Sequence, residues 1–256
     1  MAEPTPVDVH DGTDGADWQR RVVGRSLRAA TQRSIDRGSS LIRAAVTLLE
    51  RSNGDGFTVQ DVADEAGQSL RTLYQYFESK DDLLLAVFEE AMRTYAQLVR
   101  GAIAGLSDPL ERLAGGLVAA VRMPEYSDTG VDRGLARLRS KLAEVEPEAI
   151  ARSREPVTAL MRELIDGATA DGSISPADPE GATYLVLALE SSYITSGTLG
   201  NDFGAALPDV TTTVGFLLRG LGVDVEDGWI EGIEARLRLP ATQDEFPPRP
   251  GDPVAP

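Results

Sequence analysis

Apolar residues recur along this chain with the spacing of a helix, and no useful stretch alternates apolar and polar residues. An amphipathic helix repeats about every 3.6 residues, whereas a half-buried strand alternates with a period of two. Glycine, proline and aspartate interrupt the periodic segments, most clearly at 53–56. A chain of 256 residues can bury a sizeable core without metal or disulfide support. We therefore predict an all-α protein.

The interruptions divide the chain into predicted elements. A first helix runs from about Ile35 to the break at 53–56. Short helices then follow Thr58 and Ser69, which suit N-cap positions, and a longer helix runs from Lys80 to about Gly101. Further helical segments are predicted at 109–121, 131–143, 147–170 (kinked or split by Pro156), 179–199, 208–221 and around 229–237. We expect residues 1–17 and the proline-rich residues 240–256 to be disordered.

The composition excludes several classes of site. The chain has no cysteine and a single histidine, His10, so disulfides, thiolate zinc sites and a Ser-His-Asp triad are not expected. No run of about 18 apolar residues suggests a membrane span, and the acidic N-terminus does not look like a secretory signal. We therefore expect a cytoplasmic protein without cofactor, metal or membrane partner.

Charge is distributed unevenly along the chain. The net charge is −16, yet residues 18–80 carry ten basic and seven acidic residues. Within 18–52 there are eight arginines and two acids, so one local region could face a phosphate backbone. The arginine-rich segment 20–33 is either an arm that contacts DNA or a solvated, partly helical extension, and the sequence leaves both interpretations open.

Residues 58–77 have the pattern of a helix-turn-helix unit. Gly67, Gln68 and Ser69 form the predicted turn, and Leu73 and Phe77 share one face of the second helix. The opposite face carries Leu70, Arg71, Thr72 and Gln75 and is left for a DNA groove. On periodicity alone, a pair of short packing helices explains the pattern about equally well.

A family resemblance favours the DNA-binding interpretation. The motifs that carry it are Gly56-Phe57-Thr58-Val59, Ala66-Gly67, Leu73-Tyr74-Gln75-Tyr76-Phe77 and Ser79-Lys80-Asp81-Asp82-Leu83. Residues from about Ile35 to Val87, a fifth of the chain, thereby resemble the N-terminal domain of the tetracycline-repressor (TetR) family of bacterial transcriptional regulators. Two departures are Gln68, where a small aliphatic residue is usual, and Tyr76, where histidine is common.

The resemblance implies a domain order and DNA-contacting residues. A basic extension (1–33) would precede a helix-turn-helix domain (34–84), a helical ligand-binding and dimerisation domain (85–222) and a short helix with a tail (223–256). Tyr74, Tyr76 and Lys80 would contact phosphates, as would the hydroxyls of Thr58 and Ser69. Leu70, Arg71 and Thr72 would reach base edges, with Arg71 the best candidate for guanine.

The resemblance also implies a dimer interface and a ligand pocket in the C-terminal domain. Segments 179–199 and 208–221 would form a four-helix interface between two copies. Polar residues at 190–195 interrupt an otherwise apolar helix and need partners if they are buried. The candidate residues for binding a small apolar or amphipathic effector are Leu117, Val121, Met123, Tyr126, Leu138, Leu160, Leu164, Glu190, Tyr193 and Phe203.

We therefore expect a homodimeric, non-enzymatic regulator, most simply a repressor that binds a palindromic operator and is released by a small molecule. An activator and an effector-independent DNA-binding protein are alternatives. From other classes, the chain could be a non-catalytic helical interaction module. An enzyme using carboxylates such as Glu144, Glu146 and Glu148 is disfavoured, because no base or metal ligand accompanies them.

Overall fold

A computed structural model describes residues 15–52, 56–126, 129–200 and 204–239, and within these ranges the chain is helical without a strand. The all-α prediction is therefore confirmed. The helices are α1 (Gly15–Arg51), α2 (Val59–Glu65), α3 (Leu70–Tyr76), α4 (Lys80–Ala102), α5 (Pro109–Tyr126), α6 (Thr129–Val145), α7 (Pro147–Ser153), α8 (Glu155–Ala170), α9 (Pro179–Leu199), α10 (Val210–Gly220) and α11 (Trp229–Glu234).

Helix α1 differs most from the prediction, because it begins at Gly15 and not near Ile35. The basic segment 20–33 is thus part of one continuous helix. Arginine, alanine and leucine favour helix, no proline occurs in the segment, and the one interior glycine, Gly24, costs only about 1 kcal/mol. Among the described side chains of α1, Leu41 is the first buried apolar one, and the sequence of the basic segment has only scattered aliphatic residues, so periodicity placed the start too late. The predicted disorder of residues 1–17 is wrong for 15–17, which begin α1, and residues 1–14 and 240–256 lie outside the described residues.

Side-chain caps define the short helices at the positions that the sequence predicted. Thr58 and Asp61 form a reciprocal capping box at the start of α2, in which each side chain bonds the backbone N–H of the other residue. The hydroxyls of Ser69 and Ser79 accept hydrogen bonds from backbone N–H groups in the first turns of α3 and α4. Each cap satisfies a donor that the helix leaves unpaired, so helices of only seven residues have defined starts.

Two apolar clusters organise the packing. The N-terminal cluster joins α1–α4 with α6 and α7. It therefore extends beyond the predicted domain boundary at residue 84 and draws on helices assigned to the ligand-binding domain. Its buried members are Leu41, Ala44, Ala45, Leu49, Phe57, Val62, Ala63, Leu73, Phe77, Leu83, Leu84, Val87, Phe88, Leu138, Leu142 and Ile150.

The C-terminal cluster surrounds α5, whose residues 113–121 are all buried. The end of α4 and helices α8–α11 contribute the remaining side chains. Gly115 and Gly116 allow this close packing: a Cβ on Gly115 would lie 2.8 Å from a methyl of Leu106, and one on Gly116 would lie 2.7 Å from a methyl of Leu164. The small residues in α5 therefore determine how closely its neighbours approach.

The breaks in the C-terminal half also follow the sequence. The predicted helix 147–170 divides at Arg154, and Pro156 lies in the first turn of α8, where its missing N–H leaves no bond unmade. Helix α11 docks through Ile230 and Ile233, and the Arg236 guanidinium binds both carboxylate oxygens of Glu111, at 2.7 and 3.0 Å. In the described residues, none of the helices is both long and apolar enough to cross a bilayer.

The packing around α5 predicts that a side chain at Gly115 destabilises the protein. Gly115→Val places methyl groups against Ile103, Leu106 and Leu237, and overpacking of this kind costs about 1–3 kcal/mol. Thermal melts of the full chain would measure the change. Gly101→Val is the matched control, because its Cβ meets no atom within 4 Å. Equal melting temperatures for the two variants would contradict the close approach at Gly115.

Candidate nucleic-acid interface

A tight turn sets α3 against α2. Gly67 has a φ of +62°, a left-handed conformation that glycine adopts without strain. The N–H of Gln68 then donates to the carbonyl of Ala63 at 2.8 Å, which closes the turn. Leu73 and Phe77 are buried in the N-terminal cluster, so one face of α3 is held against α1 and α2 and the opposite face is directed outward.

Hydrogen bonds from Gln68 link this turn to α1. Its Nε2 donates to the Arg37 carbonyl at 3.1 Å and to the hydroxyl of Ser40. Gln68 is one of the two departures from the family, since a small aliphatic residue is usual at this position. The structure shows that the amide instead makes polar contacts with α1 that an aliphatic residue cannot make.

The outward face of α3 carries the predicted base-reading residues. Arg71 and Gln75 are exposed, Leu70 and Thr72 are partly buried, and the Tyr74 side chain is 51% exposed. No hydrogen bond or ion pair within the described part of the chain holds the guanidinium of Arg71. The face therefore offers a cation, an amide, a phenol and an aliphatic group, which can contact base edges and phosphates.

The two predicted phosphate-binding hydroxyls serve as helix caps. Thr58 Oγ1 donates to Asp61 at 2.7 Å and accepts from the Asp61 N–H at 3.2 Å. These bonds from the backbone N–H and hydroxyl of Thr58 hold the pKa of Asp61 below its usual range. Ser69 Oγ accepts from the N–H of Thr72 and lies 2.8 Å from the Thr72 hydroxyl. Phosphate binding by either hydroxyl stays a prediction.

Lys80 and Tyr76 also make contacts inside the protein. Lys80 Nζ donates to the carbonyl of Phe57 and lies 4.6 Å from the centre of the Phe57 ring. Tyr76 packs on the N-terminal cluster, and its hydroxyl accepts a hydrogen bond from Ser34 at 3.2 Å. Both side chains thus stabilise the domain, and contact with a phosphate by either one stays a prediction.

The predicted ligand-binding residues do not form one group. Leu117, Val121, Leu160 and Leu164 belong to the C-terminal cluster, whereas Leu138 packs in the N-terminal cluster. Leu138 is therefore separate from the other candidates, because the period of α6 turns it toward the DNA-binding helices, and its role in a pocket stays a prediction. The Tyr193 hydroxyl donates to the Pro208 carbonyl at 2.8 Å. Phe203 and the side chains of Met123 and Tyr126 lie outside the described residues.

Glu190 is the exception among these residues, because it is a buried acid. Its side chain is 3% exposed, and its Oε1 has no hydrogen-bond partner. Burial raises the pKa of Glu190 to about 8, although nearby Arg154 opposes the shift. Burial also raises the pKa of Tyr95 on α4 well above its usual value, with the Glu190 charge as a second cause.

Two arginines that the sequence analysis did not predict, Arg139 and Arg154, belong to the same region as Glu190. Arg139 on α6 donates to the hydroxyls of Ser191 and Thr195 on α9, the second at 2.8 Å. Burial, together with the charge of Arg154, lowers the pKa of Arg139. The hydroxyls at 191 and 195 were the available signal, because buried hydroxyls on an apolar helix need a polar partner. The sequence alone did not identify Arg139 as that partner.

The carboxylates considered for an enzyme give that alternative no support. Glu144, Glu146 and Glu148 are all exposed, and Glu148 lies 3.9 Å from Arg152. In the described ranges, no three acidic or histidine residues are grouped as a metal would require.

Comparisons with known proteins point to one family. A family model described as bacterial regulatory proteins, tetR family, matches residues 41–87. The HTH-type transcriptional regulator HbdR of Aromatoleum sp. (strain CIB) is 36% identical over 78 residues, which are 30% of this chain and 34% of that protein. The HTH-type transcriptional activator FasR of Mycolicibacterium smegmatis is 32% identical over 113 residues, 44% of this chain and 51% of FasR. The matches thus span about a third to a half of these relatives.

Solved structures share the whole fold at lower identity. RolR in complex with resorcinol superposes with a TM-score of 0.58 and 22% identity, covering 82% of this chain and 98% of that one. FadR from Bacillus subtilis in complex with stearoyl-CoA superposes with a TM-score of 0.57 and 17% identity, covering 73% and 98%. Residues 41–87 thus carry the DNA-binding domain of the tetR family of bacterial regulatory proteins, and the helical fold around them is the one that the solved structures share.

Proposed function

We propose that this protein is a ligand-responsive transcriptional regulator that binds a palindromic operator as a homodimer and represses transcription until a small effector releases it. The observation that carries the proposal is the outward face of α3. Arg71, Tyr74 and Gln75 are exposed there while Leu73 and Phe77 are buried, which is the arrangement a recognition helix needs to enter the major groove.

Local charge supports DNA binding by a protein that is acidic overall. The helix-turn-helix region and α1 carry a net charge of +3 in residues 18–80, within a chain of −16. Salt screens charges that lie more than about 10 Å apart, so a phosphate close to α3 interacts mainly with the local basic residues. The acidic remainder helps to keep the protein soluble.

Apolar residues on α9 and α10 support a homodimer. Tyr184, Leu185 and Phe216 are 72%, 61% and 66% exposed, and Leu189 is also exposed. Both helices pack against α5, and large apolar side chains that stay exposed on them are typical of an interface with another protein. A second copy of this chain is the partner proposed, because one helix-turn-helix reads few bases and two related by a two-fold axis read a palindrome.

Contacts of α6 support communication between an effector and the DNA-binding helices. Leu138 and Leu142 pack in the N-terminal cluster, and Lys141 forms a 2.7 Å ion pair with Asp81 at the start of α4. Arg139, on the same helix, contacts α9. An effector that moves α6 would therefore shift the equilibrium between operator-binding and non-binding arrangements. The similar structures RolR and FadR were solved with small ligands, which favours an effector here as well.

An activator is the second candidate, and one observation favours it. The similar protein FasR is described as a transcriptional activator. DNA binding and effector binding are proposed in both cases, and only the position of the operator relative to the promoter would differ. Transcription from a reporter with the selected operator, with and without the protein, separates the two.

The recognition-helix geometry predicts that Arg71→Ala loses sequence discrimination. If Arg71 bonds a guanine, the change costs about 1–3 kcal/mol per half-site and relaxes preference at one base position. The measurement is a set of binding isotherms on an operator selected from random duplexes and on its single-base variants. The control is Arg162→Ala on α8, whose partner is Glu155 at 3.7 Å. An equal loss on every sequence would assign base reading to other residues of α3.

Phosphate contacts predict a strong dependence of DNA affinity on salt. If each of two subunits makes roughly three to five phosphate contacts, the logarithm of the affinity should fall with the logarithm of salt concentration with a slope near −5 to −9. Tyr74→Phe should weaken binding to all sequences alike, since it removes one donor from an exposed ring. A salt-independent affinity would contradict DNA binding through this surface.

The apolar face of α9 and α10 predicts that a buried charge separates the dimer. Phe216→Glu would place an unpaired carboxylate in the interface, and the variant should elute as a monomer under conditions where the parent is a dimer. Light scattering after size exclusion gives the mass directly. Ile35→Glu is the matched control, because Ile35 is also an exposed apolar residue but lies on α1. A monomeric parent, or a dimeric Phe216→Glu variant, would contradict this interface.

A further inference from the structure

Four side chains from separate parts of the chain, which we call the polar centre, influence one another's charge: Tyr95 on α4, Arg139 on α6, Arg154 between α7 and α8, and Glu190 on α9. Glu190 is buried, Tyr95 and the two arginines are partly buried, and Arg139 bonds Ser191, the residue next to Glu190. We infer that this polar centre binds the carboxylate group of a small amphipathic anion, with the two arginines as its counter-charges and Glu190 as a hydrogen-bonding partner. The inference rests on the proposed effector response and specifies the class of effector.

The first observation is that Glu190 has a buried oxygen without a hydrogen-bond partner. An unsatisfied polar atom in a protein interior costs about 1–3 kcal/mol, so such atoms normally have a partner. Oε1 of Glu190 is buried and has no hydrogen-bond partner, while apolar residues Val186 and Leu187 flank it on the buried side of α9. A ligand that reaches this position would satisfy the atom.

The charges around Glu190 determine which ligand fits. Arg139 donates to two neutral hydroxyls, and no carboxylate in the described residues lies within 4 Å of its guanidinium or that of Arg154. The two arginines also disfavour each other, since Arg154 contributes to the lowered pKa of Arg139. An anion would compensate this positive charge and form charge-assisted hydrogen bonds, whereas an ammonium group would be repelled.

The protonation of Glu190 agrees with an anionic ligand. Because its pKa is raised to about 8 by burial, the group is mostly neutral near pH 7 and can donate a hydrogen bond to a carboxylate. Above that pKa it ionises and repels the ligand. Burial and the charge of Glu190 raise the pKa of Tyr95 on α4 well above its usual value, so the phenol stays neutral across the same range. Anion affinity should therefore fall as the pH rises through about 8.

Arg139 gives the same site a route to the DNA-binding helices. A ligand carboxylate would compete with Ser191 and Thr195 for its guanidinium. Arg139 adjoins Leu138, which is buried in the N-terminal cluster. Rearrangement of this arginine would thus alter the position of α6 against the helices that hold α3.

The test uses probes that differ only in head group. Isothermal titration of the full chain near neutral pH compares benzoate with benzyl alcohol and benzylamine, and decanoate with decanol and decylamine. The carboxylate of at least one series should bind at least about tenfold more tightly than its alcohol, as expected for hydrogen bonds to charged groups, and the amine should bind most weakly. Tighter binding of the amines, equal binding within each series, or no binding of any probe would overturn the inference.

Three variants then test which residues are responsible for the preference for carboxylates. Arg154→Gln should reduce carboxylate affinity at least about tenfold. Its matched control, Arg152→Gln, removes an exposed arginine two residues away and should bind like the parent. Glu190→Gln should retain carboxylate binding near neutral pH and lose the decline at alkaline pH, since an amide does not ionise. An unchanged alkaline decline in Glu190→Gln, or equal losses in both arginine variants, would overturn the assignment.

Operator binding by the same samples distinguishes this inference from the proposed function. If the parent binds its selected operator but shows no preference for carboxylates, the effector class is wrong and the regulator proposal stands. If no duplex is selected at all, the regulator proposal itself fails. Melting temperatures measured without probe would show that the variants are folded.

Discussion

Burial of one face of α3 is the constraint on which the rest of the structure depends. Leu73 and Phe77 hold this helix in the N-terminal cluster, and each buried side chain of this size contributes about 1.5–3 kcal/mol. Seven residues are too few for a stable isolated helix, so α3 exists because the cluster and the Ser69 cap hold it. The outward direction of Arg71 and Tyr74 follows from that packing, because a helix cannot turn one face inward without turning the other outward.

The N-terminal cluster is also the link between the two halves of the protein. A minimal helix-turn-helix domain would end within α4, but the cluster includes Leu138, Leu142 and Ile150 from α6 and α7. Packed interiors respond to displacement as units, because close-packed side chains have few voids to absorb a shift. The DNA-binding helices consequently pack against α6, and Arg139 on α6 contacts α9. This shared packing is a physical basis for the effector response that we propose.

Some polar side chains in the protein make hydrogen bonds that complete the fold, and others are buried with a hydrogen-bonding atom that has no partner. Thr58, Gln68, Ser69 and Lys80 make bonds inside the helix-turn-helix domain, and they fix the entry and angle of its short helices. Oε1 of Gln68 also has no partner, although its amide nitrogen bonds α1, whereas Glu190 is a buried acid whose Oε1 has no partner. Folding alone does not favour such a group, because a buried acid that is neutral near pH 7 still leaves a hydrogen bond unmade. The carboxylate ligand that we propose would supply this bond.

The sequence by itself determined the helical class, the caps at Thr58, Ser69 and Ser79, the division at Pro156 and the exposed and buried faces of α3. These features depend on neighbours within a few residues, which periodicity and capping chemistry report directly. Only the tertiary structure decided that Leu138 packs in the N-terminal cluster and that Lys80 bonds the carbonyl of Phe57. It also decided that the charges of Arg139, Arg154 and Glu190 act on one another. Those contacts join residues far apart in the chain. A helical pattern predicts which face of a helix is apolar, but it does not predict which other helix packs on that face. The start of α1 was misjudged for a related reason, since the basic segment 20–33 has only scattered aliphatic residues and no regular apolar stripe in its sequence.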